Sequence, residues 1–206
     1  MIAAVVLAAG RGVRFGGDVP KGLLELAGRP LVAYALDAAR GSGCEPVLLV
    51  VSDDRVADRV RTPGALDTEA FEVVRNDAPE RGIASSLQCA LRTLEPRSQV
   101  TAAVVGLADQ PLVGAGAYRR VAGAFGAGAR LAYATYGGER GNPVLVGREH
   151  WREALALDGD EGARVLFRRH GGVAVPCDGT GSPDDVDTPD DLANLETRWR
   201  SQTASE

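Results

Sequence analysis

The first apolar run constrains the fold of this chain more than any other feature. Ile2–Leu7 reads Ile-Ala-Ala-Val-Val-Leu, with no polar residue at alternate positions. A strand with one wet face alternates apolar and polar side chains. An unbroken, partly β-branched run of this length therefore predicts a strand buried on both faces. Similar runs recur at Pro46–Val51 and Thr101–Leu107, with further strand candidates at Phe71–Val74, Arg130–Thr135, Pro143–Val146 and Val173–Val175. Helices are predicted between them over 30–40, 83–94, 114–125, 149–157 and 161–169. Pro30 is expected at a first helical position. Leu87, Leu91 and Leu94 share one helical face. A last helix is predicted from Thr188 as N-cap, with Pro189 at N1 and Asp190 and Asp191 in the first turn. Strand alternating with helix predicts an α/β fold whose mostly parallel sheet is covered on both faces. Such sheets bind ligands outside the carboxyl ends of their strands.

No internal repeat or low-complexity linker interrupts the chain, so residues 1–200 are expected to form a single domain, with 201–206 a frayed, disordered tail. At 206 residues the chain can bury a sizeable core without a disulfide or a metal staple. Cys44, Cys89 and Cys177 lie far apart with no CxxC, which suggests reduced thiols and a cytoplasmic location. His150 and His170 form no HxxxH pair, and that spacing argues against a zinc site. Ile2–Ala9 is too short to span a membrane, and no basic residue precedes it as in a signal peptide. A formal net charge of -5 disfavours nucleic acid as a partner bound through bulk charge. The charges are unevenly placed, however. Residues 1–40 carry Arg11, Arg14, Lys21, Arg29 and Arg40 against Asp18, Glu25 and Asp37, whereas residues 171–197 carry seven carboxylates and no Lys or Arg. Lys21 is the only lysine in the chain.

The first strand runs into Gly10-Arg11-Gly12-Val13-Arg14-Phe15-Gly16-Gly17-Asp18-Val19-Pro20-Lys21. Small residues let backbone amides approach a phosphate, and Arg and Lys neutralise it. A P-loop needs Gly-Lys-Ser/Thr, which Pro20-Lys21-Gly22 does not supply. Gly10, Gly12 and Gly16 leave one residue too many for the G-x-G-x-x-G dinucleotide fingerprint, which disfavours hydride chemistry. The remaining expectation is a basic loop suited to a triphosphate. Asp109 follows the strand ending at Leu107, where a carboxylate can hold Mg²⁺.

Leu7-Ala8-Ala9-Gly10-x-Gly12-x-Arg14-x-Gly16, then Lys21, Leu24, Leu26 and Gly28-Arg29-Pro30-Leu31, resembles the signature of the NTP-transferase superfamily. Gly82-Ile83-Ala84-Ser85-Ser86-Leu87, Ala108-Asp109-Gln110-Pro111 and Asp185-Val186-Asp187-Thr188-Pro189-Asp190-Asp191-Leu192 narrow the resemblance. With Gly141-Asn142-Pro143-Val144 and Gly159-Asp160-Glu161-Gly162-Ala163-Arg164, the set is most similar to the MobA-like branch, and within it to molybdenum cofactor cytidylyltransferases. The resemblance runs from Met1 to about Leu195.

The resemblance implies a three-layer, Rossmann-like nucleotide-diphospho-sugar transferase fold. It implies a Mg²⁺-dependent transfer of a nucleoside monophosphate, with release of pyrophosphate. Asp109 and Asp187 would hold the metal, and Lys21, Arg11 and Asp109 would form the catalytic set. Leu7, Ala8, Ala9, Gly10, Gly12, Arg14, Lys21, Ser85 and Ser86 would bind the nucleotide. Ser85 and Ser86 also suit the capping of a helix N-terminus, and the two roles can coexist. CTP is favoured by Ala8-Ala9-Gly10, with GTP possible. Arg140, Asn142 and Arg164 would face a molybdopterin-type acceptor, and a molybdoenzyme could be the partner served. Asn142 stands where relatives often have histidine. That departure keeps open another phosphorylated acceptor, such as a sugar phosphate, alcohol phosphate or phospholactate-like compound. A non-catalytic nucleotide-binding chaperone is the other alternative.

Overall fold

The computed structural model describes residues 1–10, 19–61 and 71–203. Strand β1 (Ile2–Ala8) is followed by a short hairpin, β2 (Glu25–Leu26) and β3 (Arg29–Pro30), and by α1 (Leu31–Arg40). Next come β4 (Val47–Val51), α2 (Asp54–Arg61), β5 (Glu72–Arg75), α3 (Ile83–Leu94), β6 (Ala102–Leu107) and α4 (Ala115–Gly126). The chain closes with β7 (Leu131–Tyr136), β8 (Glu139–Gly147), α5 (Trp151–Ala154), α6 (Arg164–His170), β9 (Val173–Pro176) and α7 (Pro189–Thr203).

One sheet has seven strands in the order β5-β4-β1-β6-β8-β7-β9. Its pairings are parallel except those that β8 makes with β6 and β7. The doubly buried character of β1 is visible residue by residue. Ala4, Val6 and Ala8 enter one core, with Val32, Leu36, Val56, Val60 and Tyr118 from α1, α2 and α4. Ala3, Val5 and Leu7 enter the other, with Leu87, Leu91, Trp151 and Leu166 from α3, α5 and α6. This is a three-layer α/β fold. Fully burying each such Leu or Val stabilises the fold by roughly 1.5–3 kcal/mol.

The strand order matters for function. The chain steps from β1 outward through β4 to β5, then returns to place β6 on the other side of β1. The carboxyl ends of β1 and β6 therefore flank a topological switch point, where open α/β sheets form a crevice. Leu7 pairs with Leu107 there, and the Ala108 N–H donates to Leu7 O at 3.0 Å.

Several local expectations are corrected. Pro30 ends β3 and flanks α1 in an extended conformation instead of occupying its first turn. The hairpin before it turns on Ala27 and Gly28, at φ 51° and 76°. Both positive φ values match the tight primed turn that suits a two-residue hairpin, but Ala-Gly is a weak sequence signal for it. Helix α2 was not expected. It buries only Val56, Ala57 and Val60, and Asp53 caps it by accepting from the Arg55 N–H at 2.9 Å. The predicted helix 149–157 shrinks to a 3₁₀ turn at Arg148–His150 and the four residues of α5. The predicted helix 161–169 begins only at Arg164, after Gly162 turns the chain at φ 48°. Helix α7 continues to Thr203, three residues into the expected tail, and residues 204–206 lie outside the described residues. Among the described residues no helix is long and apolar enough to cross a membrane.

Gly106 shows how tightly the central strand is packed. A Cβ there would lie 2.0 Å from the hydroxyl of the fully buried Tyr118. Overpacking a filled core costs about 1–3 kcal/mol. Gly106→Ala is expected to lower the urea midpoint accordingly while leaving the unfolding slope unchanged.

Candidate functional site

Three residues of the expected catalytic and metal sets meet at the switch point. Lys21 opens the 3₁₀ turn Lys21–Leu23 after the glycine-rich segment, and its N–H donates to Gly10 O at 3.4 Å. Its side-chain stem passes over Gly10, where a Cβ would lie 3.8 Å from Lys21 Cδ. The ammonium donates to Asp109 Oδ2 at 2.6 Å and to Asp187 Oδ1 at 2.5 Å. Burial works against a charged ammonium here, but Asp109 and then Asp187 outweigh it, so the Lys21 pKa is raised.

Asp187 reaches Asp109 across the chain through backbone and packing. The Val186 N–H donates to Asp109 O at 2.9 Å. The Val186 side chain is fully buried in a small satellite core with Leu26, Leu31 and Leu195. The start of α7 then fixes the segment reciprocally. Asp191 Oδ2 accepts from the N–H groups of Asp187 and Thr188, while the Asp191 N–H donates to Thr188 Oγ1. Thr188 thus serves as the predicted N-cap, in a capping-box arrangement with Asp191 as the acidic partner.

One oxygen of Asp109 is unusual. Oδ1 is buried and has no hydrogen-bond partner among the described residues. An orphaned carboxylate oxygen beside a second carboxylate is the donor set that suits a hard divalent cation. Asp185, on the other side of Val186, faces Gln110. Burial and then the neighbouring Asp109 hold its carboxyl above the usual range, and a hydrogen bond from Gln110 works the other way.

A cavity of about 510 Å³ opens beside this centre, and Arg140, Asn142 and Arg164 all line it. Leu7, Leu107 and Phe167 contribute apolar wall, while Asp160 and Asp185 contribute acid. The Arg140 guanidinium stacks 4.1 Å from the Phe167 ring centroid and 4.4 Å from that of Tyr133. Its pKa is lowered, first by burial and in part by Arg164.

The profile of the MobA-like NTP transferase domain matches residues 4–174. The chain belongs to the MobA-like NTP transferase family. It is 41% identical over 127 residues to the bifunctional protein GlmU of Kineococcus radiotolerans, covering 61% of this chain and 25% of that protein. The chain spans about a quarter of the length of such GlmU relatives. It is 28% identical over 205 residues to nicotine blue oxidoreductase of Paenarthrobacter nicotinovorans, covering 94% of this chain and 96% of that one. Among solved structures, Rv0371c of Mycobacterium tuberculosis H37Rv superposes with a TM-score of 0.78 at 32% identity, covering 95% of this chain and 97% of that one. A second structure of that protein, TM-score 0.73 at 29% identity over 95% and 98% of the chains, is a complex with manganese.

The chain thus carries a MobA-like NTP transferase domain, and its expected site residues distribute as follows. Lys21, Asp109 and Asp187 come together, as do Arg140, Asn142 and Arg164. Leu7, Ala8, Ala9 and Gly10 lie at and just after the end of β1. Arg11, Gly12 and Arg14 lie outside the described residues. Ser85 and Ser86, expected to bind the nucleotide, are buried in the first turns of α3. Asn76 Nδ2 donates to both hydroxyl oxygens, at 2.9 and 3.0 Å, and Ser85 Oγ donates to Gly82 O. Their hydroxyls are engaged in tying α3 to the end of β5.

Two residues of the candidate site were missed. Asn76 is 1% exposed and organises that junction, but an asparagine after a short strand gives little warning of it. Gln110 is 5% exposed. It accepts from Asn142 Nδ2 at 3.1 Å and donates to Pro183 O at 3.0 Å. It thereby joins three walls of the cavity. Its place directly after Asp109 was the available signal.

Proposed function

We propose that this protein transfers CMP from CTP to a molybdopterin-type phosphate monoester, with Mg²⁺ as the metal and pyrophosphate as the leaving group. Residues 1–200 would act as one domain. The reading rests above all on Lys21, Asp109 and Asp187 meeting at the switch point, beside a cavity with two arginines. Asp109 and Asp187 would hold the metal, and the orphaned Asp109 Oδ1 fits that task. Bound there, Mg²⁺ supplies positive charge for the phosphate oxygens.

The chain's own groups do the rest. The Lys21 ammonium turns from the carboxylates to an oxygen of the α-phosphate and steadies the charge that grows there. Gly10, Gly12, Arg11 and Arg14 hold the outer phosphates, while Leu7, Ala8 and Ala9 leave room for the base and sugar. The acceptor phosphate, between Arg140 and Arg164, is anionic near neutral pH and attacks in line without a general base. Alignment and charge neutralisation carry the rate.

Pyrophosphate release with Mg²⁺, each NTP in turn and molybdopterin tests this reading. The expected result is turnover with CTP above GTP, and none with any nucleotide would sink it. Substituting sugar or alcohol phosphates for molybdopterin tests the acceptor. Nucleotide binding without pyrophosphate release in any arm would favour the chaperone alternative. Nicotine blue oxidoreductase matches nearly the whole chain, so an oxidoreductase is a second reading. Reduction of nicotine blue by a nicotinamide cofactor would favour it, against the spacing of Gly10, Gly12 and Gly16.

Gln110→Ala should separate positioning from chemistry. Loss of the Asn142 and Pro183 contacts is expected to raise the acceptor KM about tenfold, or roughly 1.4 kcal/mol, with kcat much less affected. Steady-state kinetics with varied acceptor would check this.

A further inference from the structure

Both histidines lie at the opposite end of the sheet from Lys21. Gly147, at the end of β8, pairs with Ala102 at the start of β6, and His150 follows three residues later. His170 ends α6, just before β9. The length of β6 separates them from the nucleotide end by roughly 20 Å.

Here His150, Glu153 and His170 converge. One ligand atom from each lies within 4.8 Å of the others. His150 and Glu153 are three residues apart on one turn and face the same way. The His170 ring is 4.9 Å from that of His150, and His170 Nε2 lies 2.6 Å from Glu153 Oε2. Arg169 donates to the other carboxylate oxygen, Oε1, at 2.8 Å. The carboxylate is therefore held with Oε2 turned toward the imidazoles.

Both carrier elements are anchored. Trp151 is buried and donates through Nε1 to Val146 O at 3.1 Å. Val165, Leu166 and Phe167 seat α6 in the core. The three side chains thus sit on held backbone, and only side-chain rotations are needed to draw the ligand atoms closer.

We propose that His150, Glu153 and His170 form a Zn²⁺ site that joins the end of α6 to α5. Two imidazole nitrogens and one carboxylate oxygen suit a borderline divalent ion and leave a fourth position for water. The Glu153–His170 hydrogen bond gives way to two metal bonds, and Arg169 continues to orient the carboxylate, as outer partners of metal ligands do. HxxxH spacing fails to signal such a site because it describes two ligands on one helix. These ligands come from two elements. Helix α6 also carries Arg164 and Phe167 into the cavity wall, so the ion would brace that wall from the far end.

The test uses the full chain stripped of metal with a chelator. ZnCl₂ is titrated by calorimetry into wild type, His150→Ala, His170→Ala and Asp109→Ala, and far-ultraviolet circular dichroism confirms that each is folded. Wild type and Asp109→Ala are expected to share one zinc-binding event of the same affinity, with any separate uptake at Asp109 and Asp187 lost only in the variant. Each histidine variant should bind at least about tenfold more weakly. X-ray absorption of the zinc-loaded wild type should show imidazole scattering. Unchanged binding in both histidine variants would overturn the proposal, as would no saturable binding in wild type. Loss of all binding only in Asp109→Ala would place the ion at the nucleotide end and overturn it too.

Discussion

Replacing Asp109 by alanine should lower the Mg²⁺-dependent release of pyrophosphate by roughly 10²–10³-fold while the fold survives. Among the described residues, Asp109 offers a buried oxygen with no hydrogen-bond partner and a second one that accepts from Lys21. Its removal therefore takes away the better held of the two carboxylates, since Asp187 is nearly twice as exposed. The architecture depends on its backbone instead. The tie to Val186 is made by Asp109 O, which alanine retains. Circular dichroism and the urea midpoint should accordingly stay close to wild type. Asp109→Asn keeps the shape without the charge and should lose activity almost as severely. A variant with wild-type turnover would mean that the metal is bound elsewhere.

The fold was legible because parallel strands buried on both faces must be apolar without interruption, and β1, β4 and β6 are. Elements that bury little were not. Helix α2 offers Val56, Ala57 and Val60 amid charge, and the β2–β3 hairpin has only two residues per strand. Of the candidate site, Lys21, Asp109 and Asp187 were legible one by one but not in their assembly, and Asn76 and Gln110 were not legible. Asp109 and Asp187 meet because Val186 hydrogen-bonds to the Asp109 backbone and fills a pocket with Leu26, Leu31 and Leu195. No local pattern encodes a contact between such distant segments. Ser85 and Ser86 show the reverse case. Hydroxyls at a helix start suit a ligand or the protein's own polar groups, and the buried Asn76 amide engages both of them.

Lys21→Arg is expected to keep the charge and still lose roughly 10²–10³-fold in turnover. The ammonium is a compact, rotatable donor on a flexible stem, whereas guanidinium is a broad planar fork. The Lys21 stem runs against Gly10, its side chain is only 12% exposed, and its head lies between two carboxylates. An arginine head there would pair more firmly with Asp109 or Asp187 and turn less readily to the α-phosphate. Lys21→Met separates charge from shape. It should lose turnover comparably, yet bind Mn²⁺ more tightly than wild type when no nucleotide is present, because the cation held between Asp109 and Asp187 is gone. The coupling has a functional consequence. A triphosphate that draws Lys21 away would also free both carboxylates, so metal and nucleotide binding should favour each other in wild type but lose much of that coupling in Lys21→Met. Calorimetric titration of Mn²⁺ with and without a non-hydrolysable CTP analogue would measure it. Equal coupling in the two proteins would show that the lysine does not guard the metal site.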